Sequence, residues 1–432
     1  MAFRSVVLPV GHEHLSLQLP DEQLAWVLAP QSPPALPDVA AALAAALAAP
    51  TGCAPLSDLV RGREQDVLIL VDDDTRPTPQ HQLLPTVLDT LNAAGVPDSQ
   101  ISLLVALGTH RAHTAAESRR RYGPAVADRV RVENLDQRDE AFADLGVTAS
   151  GIPIRVSKRY RQASFRLAVG NIVPHMYCGW SGGSKMVQPG VCSHATTAET
   201  HLMAAPLVRE ILGQLDNPVR HEIDQIGQSS GLDFIVNTVL NGAGQVAHLV
   251  AGDVIAAHRQ GVDLARAVYG AVVPELVDLV IASSHPADRD FWQACKALNA
   301  AGLAVRAGGT IILLNPAHEG VSPDHPAMVD LGVTPIDQVR ALLKRDEIHD
   351  RVAAATYQAM AATRDHARVV VVSDPIARAD LEAMGLAWQP DAQAAVDAAI
   401  QELGPQARIG VLPQAADMLP LIGKGARHAL PS

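Results

Sequence analysis

Apolar runs recur along this chain, each followed by a polar loop and then by a helical pattern. The run within Asp66–Val71 precedes the polar segment Asp72–Pro79 and a predicted helix over Gln80–Ala94. The next run, Ile101–Leu107, ends in the polar segment Gly108–Thr114. Continuous apolar runs are typical of central strands in parallel sheets, and their alternation with helices predicts an α/β fold.

The same alternation continues through the rest of the chain and restarts near Ala271–Pro274. Further strands are predicted at Phe165–Val169, Phe234–Leu240, Leu276–Ala282, Thr310–Leu314, Val369–Val372 and Ile409–Leu412. With 432 residues, the chain is too long for one ordinary core. We therefore predict two α/β domains with mainly parallel sheets, over residues 1–272 and 273–432. Alternation over residues 1–30 predicts short strands of a small sheet, and the last residues are expected to pack back on the first domain.

Composition excludes several classes of protein. The chain is 48% hydrophobic and 19% charged, as expected for a globular protein. Its formal charge of −12 argues against a nucleic-acid partner, because phosphate binding requires a basic surface. No apolar stretch is long enough to predict a membrane span or a secretory leader. The four cysteines form no CxxC pair, which favours a reducing compartment, and we expect a cytoplasmic protein.

Polar side chains suited to catalysis follow the first two predicted strands. Asp73 and Arg76 lie in the first loop and His110 in the second, at the strand ends where ligands bind in open α/β sheets. A guanidinium binds a carboxylate through two parallel hydrogen bonds, and a histidine here suits a general base. Equally, Asp73 could cap the next helix while Arg76 pairs locally. His113 is predicted to lie on the surface.

The segment Asn171–Val191 is the most unusual stretch of the chain. It contains His175 and a glycine-rich loop in which Gly182 and Gly183 precede Lys185. Such a loop lets the backbone approach a phosphate or a flat cofactor closely. A P-loop is excluded, because it requires glycine directly before the lysine and serine or threonine directly after it. The lysine could bind phosphate, form a covalent bond to a carbonyl-type cofactor, or simply be exposed.

Two further clusters are ambiguous on their own. His194 and His201 are seven residues apart on a predicted helix, a spacing that fits no standard zinc site. A single histidine could still complete the coordination of a metal that a cofactor already holds.

Trp292, Gln293 and Lys296 open the first helix of the second predicted domain. Gln293 and Lys296 share a helical face and could close over a site from that side. The alternative is the start of an ordinary amphipathic helix.

Taken together and in this order, the motifs resemble one family. DDDTRPTP, GTHR, PHMYCGWSGGSKMVQPGV, THLM and FWQACKAL are similar to the corresponding segments of the lactate racemase family, the nickel-pincer nucleotide enzymes. The resemblance extends to DNPVR at 216–220 and to residues 235–258, and it covers nearly the whole chain.

The resemblance implies a cofactor and a set of roles. The cofactor is a pyridinium-3,5-bisthiocarboxylic acid mononucleotide that holds nickel, joined through a thioamide to Lys185. His201 is the implied nickel ligand, and His110 and His175 are the implied acid/base residues. The first domain would carry all four. The pocket would be lined by Asp73, Arg76, Gly182, Gly183, Trp292, Gln293 and Lys296.

The implied activity is inversion at C2 of a 2-hydroxy acid, through proton-coupled hydride transfer and a 2-keto acid, in a cleft between the two domains. The implied partners are this small substrate and the enzymes that make the cofactor. Lactate-type members commonly have tyrosine where Trp292 stands, and a tryptophan often found near residues 350–360 is absent, with Tyr357 there instead. The substrate is therefore lactate or another 2-hydroxy acid.

Two other functions remain open at this stage. An NAD-linked 2-hydroxy acid dehydrogenase would require a G-x-G-x-x-G turn between a strand and a helix, which the runs at 66–71 and 276–282 lack. A non-catalytic cofactor-binding protein would keep the same cleft without turnover.

Overall fold

The first of two large sheets contains the strands that precede the predicted loops. The computed structural model describes residues 2–62 and 66–423. This sheet has six strands in the order Val246–Gly252, Phe234–Leu240, Phe165–Asn171, Val67–Asp72, Ile101–Ala106 and Arg131–Asn134. All neighbours are parallel except the first two, which form an antiparallel hairpin. We call this sheet and its packed helices the first lobe.

The second sheet also has six strands, and all its neighbours are parallel. Their order is Ala387–Gln389, Arg368–Val372, Val305–Leu314, Val277–Ser283, Ile409–Leu412 and Leu24–Val27. We call this sheet and its helices the second lobe. Two-stranded sheets pair Phe3–Val10 with Glu13–Pro20, Phe142–Val147 with Pro153–Ser157, Pro174–His175 with Gly179–Trp180, and Gly270–Val273 with Leu419–Ile422. The predicted fold class, α/β with mainly parallel sheets in two parts, is confirmed.

Helices connect the strands and cover the sheets. The α-helices are Val39–Ala48, Leu56–Val60, Gln80–Ala93, Ala115–Tyr122, Pro124–Ala127, Lys158–Gln162, His194–Ala204, Val208–Ile211, Pro218–Ser230, Ala256–Tyr269, Phe291–Ala304, Ala327–Asp330, Ile336–Lys344, Arg351–Arg364, Arg378–Ala383 and Ala392–Leu403. Asp38, Asn217, Asp290, Asp350 and Asp391 cap helix starts through side-chain hydrogen bonds to free backbone N–H groups. Within the described part of the chain, no helix has the length and apolar character needed to cross a membrane.

Burial explains why the apolar runs became strands. Every residue of Val67–Asp72 and of Phe234–Leu240 is buried, as expected for strands covered on both faces. The residues Ala251-Gly252-Asp253 predict the start of a helix, but the helix begins at Ala256. Residues 246–252 instead pair with the preceding strand across a turn at Asn241, because their apolar side chains complete the sheet.

The N-terminal strands lie with the second lobe, and the last described strand pairs with a strand beside the predicted boundary. The predicted small sheet at the N-terminus is present, but Leu8 and Leu17 pack with Leu279 and Ile281 of the second lobe. Leu24–Val27 is an edge strand of the second sheet. At the other end, Leu419–Ile422 pairs with Gly270–Val273. A boundary at 272/273 remains a prediction, while the first strands belong spatially with the second lobe.

Candidate active site

The predicted site residues converge on one cleft. Strands Val67–Asp72, Ile101–Ala106 and Phe165–Asn171 end beside two adjoining pockets that share Arg76, His110 and Lys185. The first pocket also contains Asp73 and Gly182, and the second also contains His175, His201, Trp292, Gln293 and Lys296. Every predicted site residue except Gly183 therefore lines the cleft, and residues of both lobes contribute to it.

His110 is held between the two lobes. Its Nδ1 atom lies 2.6 Å from Asp73 Oδ2, and its Nε2 atom lies 3.1 Å from the Nε2 atom of Gln293. A neutral imidazole that donates from Nδ1 to Asp73 leaves Nε2 as an acceptor. Burial by itself raises the pKa of Asp73, but the hydrogen bond from His110, together with Arg76 and Thr75, holds it well below its ordinary value. Asp73 is thus ionised and fixes the His110 tautomer.

His175 has the opposite arrangement. It is 5% exposed, and the backbone N–H of Tyr177 donates to its Nδ1 atom over 3.2 Å. In this neutral form the proton is on Nε2. Burial, and then the positive charges of Lys185 and Arg76, lower the pKa of His175 well below its ordinary value. The cleft therefore contains one imidazole with a free lone pair on Nε2 and one with a proton on Nε2.

The glycine-rich loop carries Lys185 into the cleft. Gly182 and Gly183 have positive φ angles of 77° and 57°, and the short helix Gly183–Met186 follows. A Cβ atom on Gly183 would lie 2.7 Å from Arg220 Nη2 and 2.9 Å from the His258 ring, so only glycine fits. Burial lowers the pKa of Lys185 to about 8, and the nearby Arg76 and Arg220 contribute to this shift.

Three residues that lie in the segments 216–220 and 235–258 of the resemblance, but were given no role there, support this loop. Arg220 Nη1 donates to the carbonyl oxygens of Trp180 and Gly182, both at 3.3 Å. His258 Nε2 donates to Ser181 O over 2.8 Å, and the Gly183 N–H donates to Asn237 Oδ1 over 2.9 Å. Arg220 and His258 are each 1% exposed. They lie on helices remote in sequence, so no local pattern indicates this role.

His201 reaches the cleft from the helix His194–Ala204. Its ring lies 4.5 Å from that of Tyr177, and burial, followed by the charge of Lys185, lowers its pKa to about 3. His194 does not line these pockets and is exposed. Across residues 2–62 and 66–423, no group of three or more His, Cys, Asp or Glu side chains is arranged to hold a metal.

The second lobe covers the cleft with the first turn of helix Phe291–Ala304. Lys296 Nζ donates to Gln293 Oε1 over 2.6 Å, and Asp290 Oδ1 accepts from the Gln293 backbone N–H. Burial and the charges of Arg76 and Lys185 lower the pKa of Lys296 well below its ordinary value. The ring of Trp292 stacks on His325 with centroids 4.4 Å apart.

Ion pairs join the lobes beside this helix. Arg289 lies 3.4 Å from Asp74, and Arg111 lies 3.4 Å from Glu319. Each pair joins one residue of the first lobe to one residue of the second, so the pairs favour the closed cleft seen here.

One expectation about a neighbouring residue is wrong. His113 is not a surface residue: its ring is buried against Tyr122, and its Nε2 atom accepts from the Asp74 N–H over 3.3 Å. Tyr357 is buried but does not line the cleft, because its hydroxyl donates to Thr334 O over 2.6 Å. Its neighbour Thr356 lines the cleft instead, and its hydroxyl lies 2.9 Å from that of Tyr177.

Known proteins share this architecture. A lactate racemase from Lactiplantibacillus plantarum is 29% identical over 376 residues, which cover 84% of this chain and 87% of the relative. One from Thermoanaerobacterium thermosaccharolyticum is 27% identical over 325 residues, covering 73% and 75%. The structure of the lactate racemase apoprotein from the latter organism has a TM-score of 0.86 at 24% identity and covers 98% of this chain and 100% of that chain. A Thermotoga maritima protein has a TM-score of 0.69 at 20% identity, covering 85% and 96%, and shares the fold.

Family domains match the two parts of the chain in order. Residues 10–210 match the lactate racemase N-terminal domain, and residues 272–419 match the lactate racemase C-terminal domain. Together these segments span most of the chain, which therefore belongs to the lactate racemase family and is an enzyme of the racemase class.

Proposed function

We propose that this enzyme is a racemase or epimerase that inverts C2 of a 2-hydroxy acid, either lactate or a related acid. The observation that carries the proposal is the presence of His110 and His175 in one pocket. Racemisation requires a base for either enantiomer, and the imidazolium formed at a base can return a proton to the product hydroxyl, so two histidines suit it.

We propose a nickel-pincer nucleotide as the cofactor, with Lys185 as its covalent attachment and His201 as the protein ligand to nickel. Asn171 Nδ2 and Thr197 Oγ1 are buried polar atoms in the cleft wall with no hydrogen-bond partner among the described residues. Such atoms fit a cleft that receives a polar group. A lysine with a pKa of about 8 is partly neutral and able to form an amide-type bond. His201, with its pKa of about 3, is neutral and available as a metal ligand.

The chain's own residues would bind the substrate and move its protons. When bound, the cofactor supplies a reversible acceptor for the C2 hydride, which avoids removing a weakly acidic C2 proton. Arg76 and Lys296 would hold the substrate carboxylate. His110 Nε2 would take the hydroxyl proton of one enantiomer, and Asp73 would stabilise the imidazolium that forms. His175 would take the hydroxyl proton of the other enantiomer, and each imidazolium formed in this way would return a proton to a product hydroxyl.

Enclosure of the cleft supports a reaction through a 2-keto acid. His175 is 5% exposed and Gln293 is 3% exposed, so water has little access to the region between them. A dry, closed cleft keeps a keto acid from escaping before it is reduced again. The ion pairs of Arg289 and Arg111 across the lobes would favour this closed state.

The test uses protein produced together with the cofactor-synthesis enzymes, which are the proposed partners. Each enantiomer of lactate and of larger 2-hydroxy acids is supplied separately, and the opposite enantiomer is measured by chiral chromatography. We expect inversion for at least one acid and none with Lys185→Ala. Net NADH formation from NAD would indicate a dehydrogenase instead. No inversion across the panel, with the mass of the attached cofactor confirmed, would contradict the proposal.

A further inference from the structure

His325 is a buried histidine that touches the cleft wall from outside the predicted site. It is 2% exposed and lies in the loop between strand Val305–Leu314 and helix Ala327–Asp330. Its Nδ1 atom lies 2.9 Å from Asp350 Oδ2, and its Nε2 atom lies 3.0 Å from Thr109 Oγ1. Thr109 belongs to the first lobe and lines the cleft beside His110. The hydroxyl, imidazole and carboxylate thus form one chain of hydrogen bonds across the lobes.

The chain of hydrogen bonds fixes the orientation of the His325 ring. Asp350 uses its other carboxylate oxygen, Oδ1, to cap helix Arg351–Arg364, so the carboxylate itself is held in place. When His325 donates from Nδ1 to Asp350, its Nε2 atom accepts from the hydroxyl of Thr109. A ring held at both nitrogens cannot rotate without breaking a hydrogen bond.

Trp292 rests on this ring. The two ring planes are inclined by only 20°, with centroids 4.4 Å apart. The Trp292 side chain is partly exposed, and it forms part of the wall of the pocket that contains His110, His175 and His201. His325 lies outside this pocket and supports the face of the indole that it contacts. The position of the indole therefore depends on the orientation of the imidazole.

Three consecutive residues of the first lobe contact the second lobe at this point. Thr109 bonds to His325, His110 to Gln293, and the Arg111 N–H donates to Asp324 Oδ2 over 3.3 Å. His325 therefore fixes the residue next to the base at the same time as it supports the pocket wall.

We propose that His325 is a positioning residue that holds Trp292 as the wall of the substrate pocket and so determines which substituents at C2 of the substrate are accepted. This inference rests on the proposed function for its substrate class. An indole that is free to move leaves a larger, less defined pocket. Because one methylene in an apolar pocket changes specificity by about 10-fold or more, loss of the support should shift the preference towards larger 2-hydroxy acids.

The first test needs no turnover and uses the cofactor-free full chain. The difference between the fluorescence of the wild type and that of Trp292→Phe gives the contribution of Trp292. Quenching of this contribution by acrylamide measures how accessible the indole is. His325→Phe keeps an aromatic support and loses both hydrogen bonds, whereas His325→Asn keeps a donor for Asp350 and loses the support. We expect the acrylamide quenching constant of Trp292 to rise about threefold with His325→Asn, a change within the range expected for loss of one aromatic contact. It should rise less with His325→Phe. Exposed His221, paired with Asp216, supplies the control variant His221→Asn.

Two outcomes of this measurement would overturn the positioning role. They are unchanged quenching with His325→Asn and an equal rise with His221→Asn. Thr109→Val and Thr109→Ser test the other end of the hydrogen-bond chain, with His325 intact. We expect Thr109→Val to raise the quenching of Trp292 and Thr109→Ser to leave it near the wild-type value. No difference between them would remove Thr109 from the argument and contradict the interlobe chain.

The second test measures selectivity in the cofactor-loaded enzyme. The ratio of kcat/KM for a larger 2-hydroxy acid to that for lactate should rise about 10-fold in His325→Asn. An unchanged ratio in an active variant would overturn the specificity role. If the wild-type enzyme inverts no 2-hydroxy acid, the proposed function fails and the specificity role fails with it, whereas the fluorescence result still decides the positioning role.

Discussion

His110 and Asp73 lie 2.6 Å apart, through Nδ1 and Oδ2, and this contact leaves Nε2 as the free nitrogen of the histidine ring in the cleft. Asp73 also accepts from the backbone N–H of Thr75, so the carboxylate is fixed before the histidine meets it. The same loop supplies Arg76, so an imidazole and a guanidinium lie together at the end of one strand pair.

Asp73→Asn should lower racemisation by about 10²–10⁴-fold, the range attributed to general acid–base catalysis, because an amide can hold His110 in the wrong tautomer. The rate of inversion of a single enantiomer measures this. Asp74→Asn changes the neighbouring half-buried carboxylate and should have a much smaller effect. Equal rates for Asp73→Asn and wild type would show that the contact has no catalytic role.

Lys185 should react with amine reagents at lower pH than a surface lysine. Its pKa of about 8 leaves half of the side chain neutral at that pH, whereas an ordinary lysine needs a pH near 10.4. Reductive methylation of the cofactor-free chain, followed site by site with mass spectrometry between pH 6 and 11, measures this, with exposed Lys344 as the internal control. Identical midpoints at the two lysines would show that burial does not activate Lys185.

His201→Ala should separate cofactor attachment from nickel retention. The cofactor would attach through a thioamide at Lys185, which lies on a different segment from His201, so the added mass should persist. Nickel per chain should fall at least about 10-fold after dialysis, because one ligand is lost. Intact mass and elemental analysis on the same sample give both values. Retention of nickel at the wild-type level would remove His201 as the ligand.

Gly183→Ala should destabilise the protein by about 2–4 kcal/mol. The positive φ angle costs a non-glycine residue about 1 kcal/mol, and overlap of the new methyl group with Arg220 and His258 adds a further 1–3 kcal/mol. Gly244 also has a positive φ angle, 74°, but nothing lies within 4 Å of an added Cβ atom. Gly244→Ala therefore measures the backbone cost alone. Urea unfolding of both variants should show the difference, and equal losses would contradict the overlap.

His258 should make the protein less stable in acid. Burial and Arg220 lower its pKa well below the ordinary value of about 6.5, so below that pH the unfolded chain binds a proton that the folded chain excludes. Stability is thus present above pH 6.5 and declines as the pH falls towards the folded pKa. His258→Gln, which cannot titrate, should lose about 1 kcal/mol less than wild type between pH 6.5 and 5.5. Parallel curves for His258→Gln and wild type would exclude this role.

The sequence predicted the strands and the site better than it predicted the surroundings. The apolar run at 66–71 corresponds to Val67–Asp72, but nothing local shows that the charged Asp72 would be buried against Thr78, Gln80 and Arg121. His113 was predicted at the surface for the same reason, since its partner Asp74 is on another loop. His325 and Asp350 belong to no motif, and their meeting with Thr109 depends on how the two lobes pack. The periodicity of apolar residues along a segment indicates which face of it is buried. Which polar side chains are buried together depends on contacts between segments that are distant in sequence.

The position of strand Leu24–Val27 has a consequence for synthesis of the protein. It is translated before every other strand of its sheet, yet the strand it pairs with, Ile409–Leu412, is the last of the described strands of that sheet to leave the ribosome. The first lobe can complete its six strands while this segment waits unpaired, because the last of those strands ends at Gly252. Folding of the nascent chain should therefore finish with an early segment returning to the second lobe, an order that exposes an apolar strand edge to other chains during translation.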